Sequence, residues 1–302
     1  MEKIIKGLKK PEKMKKVELA KWIYDNQSDI IEFFVKKGFT KKATKIIEAL
    51  YNKMSYEKFP EAMMVVIKKS KKDPDSEVFL DPGWCVIING LLEYTQRQEK
   101  NENSTFEIAQ DTLDMYMEVI NKLLKKRVKD VAKECNINRD IVKELLVIAP
   151  SADYIKDERS VGFVANKMTR KLYMLAQPKD SDLGITEVKQ IKKFFKATFG
   201  EKLLDLIAVH VLLEKKEYIK NYNEKQLAIW NLLTDFALQT IEKQDKKHVV
   251  QLLEYYCKKR FADEKNGRDG ARRYVLATLP EDDYKKIVKA ASKLPTKLVK
   301  YL

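Results

Sequence analysis

Few side chains in this 302-residue sequence could make or break bonds. There are two His and three Cys. Metal hydrolysis and thiol catalysis need such residues clustered at short, defined spacings. His210 stands inside the apolar run Ala208 to Leu212 and reads as a core histidine. His248 follows Lys246-Lys247 at a helix start and reads as a surface or capping residue. Gln251 stands three residues after His248 and Leu213 three after His210, so no His-x-x-Arg pair exists. Cys85, Cys135 and Cys257 are widely spaced, odd in number and set in apolar runs, which predicts buried reduced thiols. No phosphate-binding glycine loop, HExxH, CxxC or GxSxG occurs. The expectation is a non-enzymatic chain with no catalytic site, no metal and no cofactor.

The remaining chemistry is anion binding. Arg holds phosphate and base edges in a bidentate grip, and only nine of the 60 basic residues are Arg. Three of them, Arg268, Arg272 and Arg273, fall beside Gly267 and Gly270 at a predicted helix start. That combination suits a phosphate contact. The alternative is pairing with Asp263, Glu264 or Glu281.

The segment Val128-Lys-Asp-Val131-Ala132-Lys-Glu-Cys135-Asn136-Ile137-Asn138-Arg139-Asp-Ile141-Val142-Lys143-Glu-Leu145-Leu146-Val147 carries a more specific pattern. Ala132 is small where a second helix must cross. Asn136 tolerates the left-handed conformation a tight turn requires. Val131, Cys135, Ile137, Val142 and Leu145 supply a shared apolar core, and Asn138 can cap the second helix. Residues 128–147 resemble the helix-turn-helix of DNA-binding regulators. The resemblance implies that Asn138, Arg139 and Lys143 face the major groove, with Lys125, Lys126, Arg127 and Lys129 near phosphates. The alternative is an ordinary helical corner within a larger α-domain.

Two further stretches are cationic on one face. Lys189, Lys192, Lys193 and Lys196 lie opposite Ile191, Phe194, Phe195 and Phe199 at helical spacing. Lys285, Lys286, Lys289 and Lys293 lie opposite Ile287, Val288 and Ala291. Such faces track a phosphate backbone, meet an anionic membrane surface, or are simply solvated.

Composition bounds the rest. At 44% hydrophobic and 10% aromatic the chain can bury a core, which excludes global disorder. Nine Gly and eight Pro are too few for a turn-rich β-sandwich. The formal charge is +15, delivered almost wholly by Lys. It is unevenly spread: +10 over residues 1–72, −9 over 73–121, +4 over 122–149 and +10 over 150–302. A dipolar pattern of this kind suits self-association as well as a polyanion. No window approaches 18 uninterrupted apolar residues, so no integral membrane insertion is expected.

The elements that must position these residues are helical almost throughout. The spacing predicts an all-α fold, either an irregular helical bundle or an α-solenoid-like array of short antiparallel helices. Three short helices are expected in the first fifty residues, the second capped by Ser28 or Asp29. Gly38 marks a stop and Thr40 a start. Val78 to Gly83 reads as a turn before a helix at Trp84. A polar loop is expected at 97–104, then a long helix from Ser104 or Thr105. The expected organisation is an N-terminal helical domain over 1–150, a connecting segment at 151–182 and a C-terminal helical domain over 183–302.

The resulting expectation is a non-enzymatic protein binding DNA or RNA, a regulator or accessory factor of a phage, plasmid or low-GC bacterium. The alternative is a helical scaffold, inhibitor or virion component, acting as a homo-oligomer or on a protein partner. Association with a membrane surface ranks third. The expected location is cytoplasmic, in the host cytoplasm if the chain is phage- or virus-encoded.

Overall fold

The computed structural model describes residues 1–37, 41–73, 75, 77–155, 158–177, 183–212 and 219–242. Within them, helix packs on helix and no strand occurs, as the 3.6-residue periodicity predicts. The order is α1 (Glu2–Gly7), a 3-10 turn (Pro11–Lys13), α2 (Lys16–Lys37), α3 (Lys41–Met54), α4 (Lys58–Lys72) and α5 (Trp84–Glu99). Then follow α6 (Gln110–Cys135), α7 (Arg139–Leu146), a 3-10 turn (Ala152–Tyr154), α8 (Glu158–Leu175), α9 (Ile185–Leu212) and α10 (Glu224–Glu242). The chain divides into two compact units. One comprises Met1–Asp130 with Lys143–Arg159, the other Val131–Val142 with the chain from Ser160.

In the first unit α2 packs on α4 and α5, and α3 on α1 and α4. Leu19, Ile23 and Ile30 of α2, Leu50 and Met54 of α3, Phe59 and Met63 of α4, and Trp84 of α5 are fully buried. Edge-on ring contacts join Trp22 to Phe59 and Phe59 to Trp84, with centroids 6.4 and 6.3 Å apart. The Tyr116 hydroxyl, inside this core, donates to the Met54 carbonyl at 2.7 Å. Burial holds its pKa well above the ordinary phenolic value.

Two expected boundaries move. Residues 16–37 form one helix, not two, and Ser28 is not a start. Leu19, Ile23, Gln27, Ile30 and Phe34 are buried at spacings of four, four, three and four, so the apolar stripe never breaks. The long helix expected from Ser104 begins instead at Gln110. The Ser104 hydroxyl accepts from the Phe106 amide at 3.2 Å, a local turn. Phe106 then lies edge-on to Tyr94, centroids 5.0 Å apart. Gly38 and Thr40 lie outside the described residues.

The turn before α5 is fixed from two sides. Gln27 of α2 is buried; its amide nitrogen donates to Phe79 O and its oxygen accepts from the Asp81 amide, both at 2.9 Å. Asp81 Oδ1 accepts from the Gly83 amide at 2.7 Å and from the Tyr154 hydroxyl at 2.6 Å. A Cβ on Gly83 would stand 2.6 Å from Tyr154 Cε1 and 2.8 Å from Ile31 Cγ2.

In the second unit α10 packs on α9. Phe194, Phe195 and Phe199 cluster on the buried side of α9, while Lys189, Lys192, Lys193 and Lys196 are exposed on the other. Helix α9 kinks at Gly200, whose φ of 74° only glycine adopts freely. Asn223 ties two helix ends together. Its Oδ1 accepts from the Gln226 amide at 2.9 Å, and Gln226 Oε1 accepts from the Asn223 amide at 3.0 Å, a reciprocal cap on α10. Its Nδ2 donates to the carbonyls of Ala176 and Gln177 beyond α8.

Candidate nucleic-acid interface

The corner between α6 and α7 is built by three consecutive residues with separate tasks. Asn136 has φ of 56°, the left-handed conformation that ends α6. The Ile137 amide reaches back to the Ala132 carbonyl at 3.1 Å, which closes a Schellman-type stop. Asn138 then starts α7: its Oδ1 accepts from the Asp140 amide at 2.8 Å, and its carbonyl accepts from the Val142 amide at 3.1 Å. Ile137 and Val142, both buried, occupy the positions before and four residues after that cap. These are the positions of a hydrophobic staple. One isoleucine therefore sits at the end of the first helix and at the entry to the second.

The helices differ in length. The first is the last part of the 26-residue α6, which runs unbroken through Lys125, Lys126 and Arg127. The second spans eight residues. Val131, Ala132, Cys135, Ile137, Ile141, Val142, Leu145 and Leu146 are buried. Cys85 and Cys135 are buried and neither is in a disulfide; burial pushes the Cys85 thiol pKa up, away from the poise of a nucleophile.

The expected contact residues separate by exposure. Lys126, Lys129, Asn138 and Arg139 are exposed, and Arg127 and Lys143 are half-buried. Asn138 and Arg139 are adjacent at the start of α7. Asp140 is exposed beside them and Glu144 is half-buried, so the short helix presents both signs. Asp140 has a structural reason to be there. It lies in the first turn of α7, where a carboxylate complements the helix dipole by about 0.3–1 kcal/mol. Arg268, Arg272, Arg273 and the lysines at 285–293 lie outside the described residues, as do His248 and Cys257.

Lys122 and Lys133 were missed, and with them the row to which Lys126 and Lys129 belong. Lys122, Lys126, Lys129 and Lys133 recur along α6 at spacings of four, three and four. At about 100° per residue they share an arc of roughly 60°. Lys126, Lys129 and Lys133 are exposed and make no ion pair among the described residues. Lys122 is paired with Glu118 one turn earlier. The spacing is readable in the sequence only once α6 is known to run without a break to Cys135.

No grouping of three or more His, Cys, Asp or Glu fit to hold a metal ion occurs among the described residues. No described helix is long and apolar enough to cross a membrane. No family model matches the chain, and neither a curated protein nor a solved structure matches it.

Proposed function

We propose that this protein is a non-enzymatic nucleic-acid-binding protein, a regulator or accessory factor, that contacts its target through the α6–α7 corner. The observation that carries the reading is the corner itself. A left-handed Asn136, a capping Asn138 and a buried Ile137 leave Asn138 and Arg139 exposed at the start of a short helix. In helix-turn-helix proteins the N-terminal residues of the second helix reach base edges. Asn and Arg are also the side chains that pair bidentately with adenine and guanine. The basic residues Lys126, Arg127 and Lys129 on the preceding helix supply backbone contacts. On this reading Lys143 lies one turn along α7 from Arg139, and Arg268, Arg272 and Arg273 are further anion contacts.

Gel shifts on the full chain test this reading, with a site enriched from random duplexes and with unselected DNA as competitor. Arg139→Ala with Lys143→Ala is expected to weaken the enriched site by tenfold or more, at about 1–3 kcal/mol per lost base contact, and unselected DNA by less. Asn138→Asp separates two roles, since Asp caps a helix as well as Asn does but repels a base acceptor. It is expected to preserve stability and lower binding. No retention of any duplex or single strand at low salt would overturn the proposal.

A further inference from the structure

We infer that the lysine row of α6 is a linear phosphate-backbone contact, in which the helix axis runs along one strand of a double-stranded nucleic acid. The inference rests on the nucleic-acid reading above and adds a mode of binding and residues to it: Lys133 and Lys122 join Lys126 and Lys129. The row extends eleven residues, about 16 Å at 1.5 Å per residue. A B-form duplex carries one phosphate charge per roughly 1.7 Å of its axis, so a row of that length lies within reach of more than one phosphate. Lys126, Lys129 and Lys133 are exposed and without a carboxylate partner among the described residues, so no ion pair must be broken to use them. Asp130 and Glu134 also lie on exposed α6, about 40° and 80° round the helix from Lys126, the nearer edge of the row. The acids therefore border the row on one side, with Asp130 one turn from Lys126. Upstream, Asp111, Asp114 and Glu118 make the same helix acidic, so the contact starts at Lys122.

The opposite side of α6 decides against a lipid surface. A helix lying on a membrane needs an apolar face free to enter the acyl boundary. Here Tyr116, Ile120, Leu124, Val131 and Cys135 are all buried in the protein. What remains outside is charged: the lysine row, with Lys125 on one side of it and Asp130 and Glu134 on the other, and no apolar face for a lipid.

The test compares Lys126→Gln/Lys129→Gln/Lys133→Gln with Lys3→Gln/Lys9→Gln/Lys10→Gln, a charge-matched control at exposed positions elsewhere. Each full-length variant is titrated with fluorescent 30-base-pair duplex DNA, duplex RNA, a single strand and anionic phospholipid vesicles over a range of salt. For the wild type, log affinity for duplex falls linearly with log salt. The α6 variant is expected to lose about 0.9 from that slope per lysine, and on the order of a hundredfold in affinity near 0.1 M salt. The control is expected to keep the wild-type slope. The DNA and RNA arms identify which duplex is taken. A wild type that binds duplex while the α6 variant shows an unchanged slope overturns this inference and leaves the corner reading standing. Binding to vesicles or the single strand alone also overturns it. No binding to any nucleic acid overturns both.

Discussion

Asn136 and Asn138 are two residues apart and use the same side chain for opposite ends of the backbone problem. Asn136 is left-handed at φ 56° and stops α6; Asn138 accepts the Asp140 amide at 2.8 Å and starts α7. The first role depends on backbone freedom, the second on an oxygen acceptor. Asn136→Gly is expected to be neutral or stabilising. Asn136→Ala is expected to cost on the order of 1 kcal/mol, because alanine keeps the Cβ strain of the left-handed region and loses the short polar side chain that offsets it. Asn138→Ala is expected to cost about 1 kcal/mol and Asn138→Ser little. Urea midpoints at constant m-value check all four. An Asn136→Ala as stable as the wild type would contradict the turn geometry.

The turn before α5 gives a second case. Tyr154→Phe removes the 2.6 Å hydrogen bond to Asp81 Oδ1 and is expected to destabilise by about 1–2 kcal/mol. Gly83→Ala is expected to cost more, because a Cβ there meets Tyr154 Cε1 at 2.6 Å and Ile31 Cγ2 at 2.8 Å. Combining Gly83→Ala with Tyr154→Phe should not relieve the clash, since the ring edge remains. Thermal melts of the three variants measure this.

Asn223 is expected to be a sensitive polar residue in the described part of the second unit. Asn223→Ala loses the cap on α10 and the donor to the Ala176 and Gln177 carbonyls together. A loss of about 2 kcal/mol is expected, against about 1 kcal/mol for an ordinary cap. Hydrogen exchange should show faster exchange at the Gln226 and Leu227 amides while α2 and α4 of the first unit stay protected. Unchanged protection at Gln226 would count against the double role.

Alkaline pH should destabilise the first unit. Burial raises the Tyr51 and Tyr116 hydroxyls above their ordinary value of 10.0, and burial with the hydrogen bond to Asp81 raises Tyr154. A raised folded-state value means the neutral form is favoured in the fold. Its stabilising contribution is therefore complete below pH 10 and is lost as pH rises above it, when the unfolded chain ionises first. Each such tyrosine should add a slope of about 1.4 kcal/mol per pH unit in that window. Urea midpoints should be flat from pH 8 to about 9.5 and fall steeply beyond 10. Tyr51→Phe should make the fall shallower.

What could be read in the sequence was local. The left-handed tolerance of Asn136, the cap at Asn138 and the turn ending in Asp81-Pro82-Gly83 each follow from the chemistry of one or two residues, and the structure has all three. Boundaries set by distant partners were not legible. The break expected at Ser28 vanishes because Gln27 is held by Phe79 and Asp81, more than fifty residues away. The start expected at Ser104 moves to Gln110, with Phe106 packed on Tyr94. At the candidate interface, the exposure of Asn138 and Arg139 was implied by the helix-turn-helix resemblance. The lysine row needed the full extent of α6, which the apparent start of a new unit at Val128 concealed.

The most direct test of the account is lysine-acetylation footprinting of the full chain, with and without duplex DNA at low salt. Protection of Lys126, Lys129 and Lys133 on adding DNA is predicted, with Lys9, Lys10 and Lys21, exposed in the first unit, modified equally in both states. Equal modification of all six lysines under conditions where the protein shifts DNA would contradict the account.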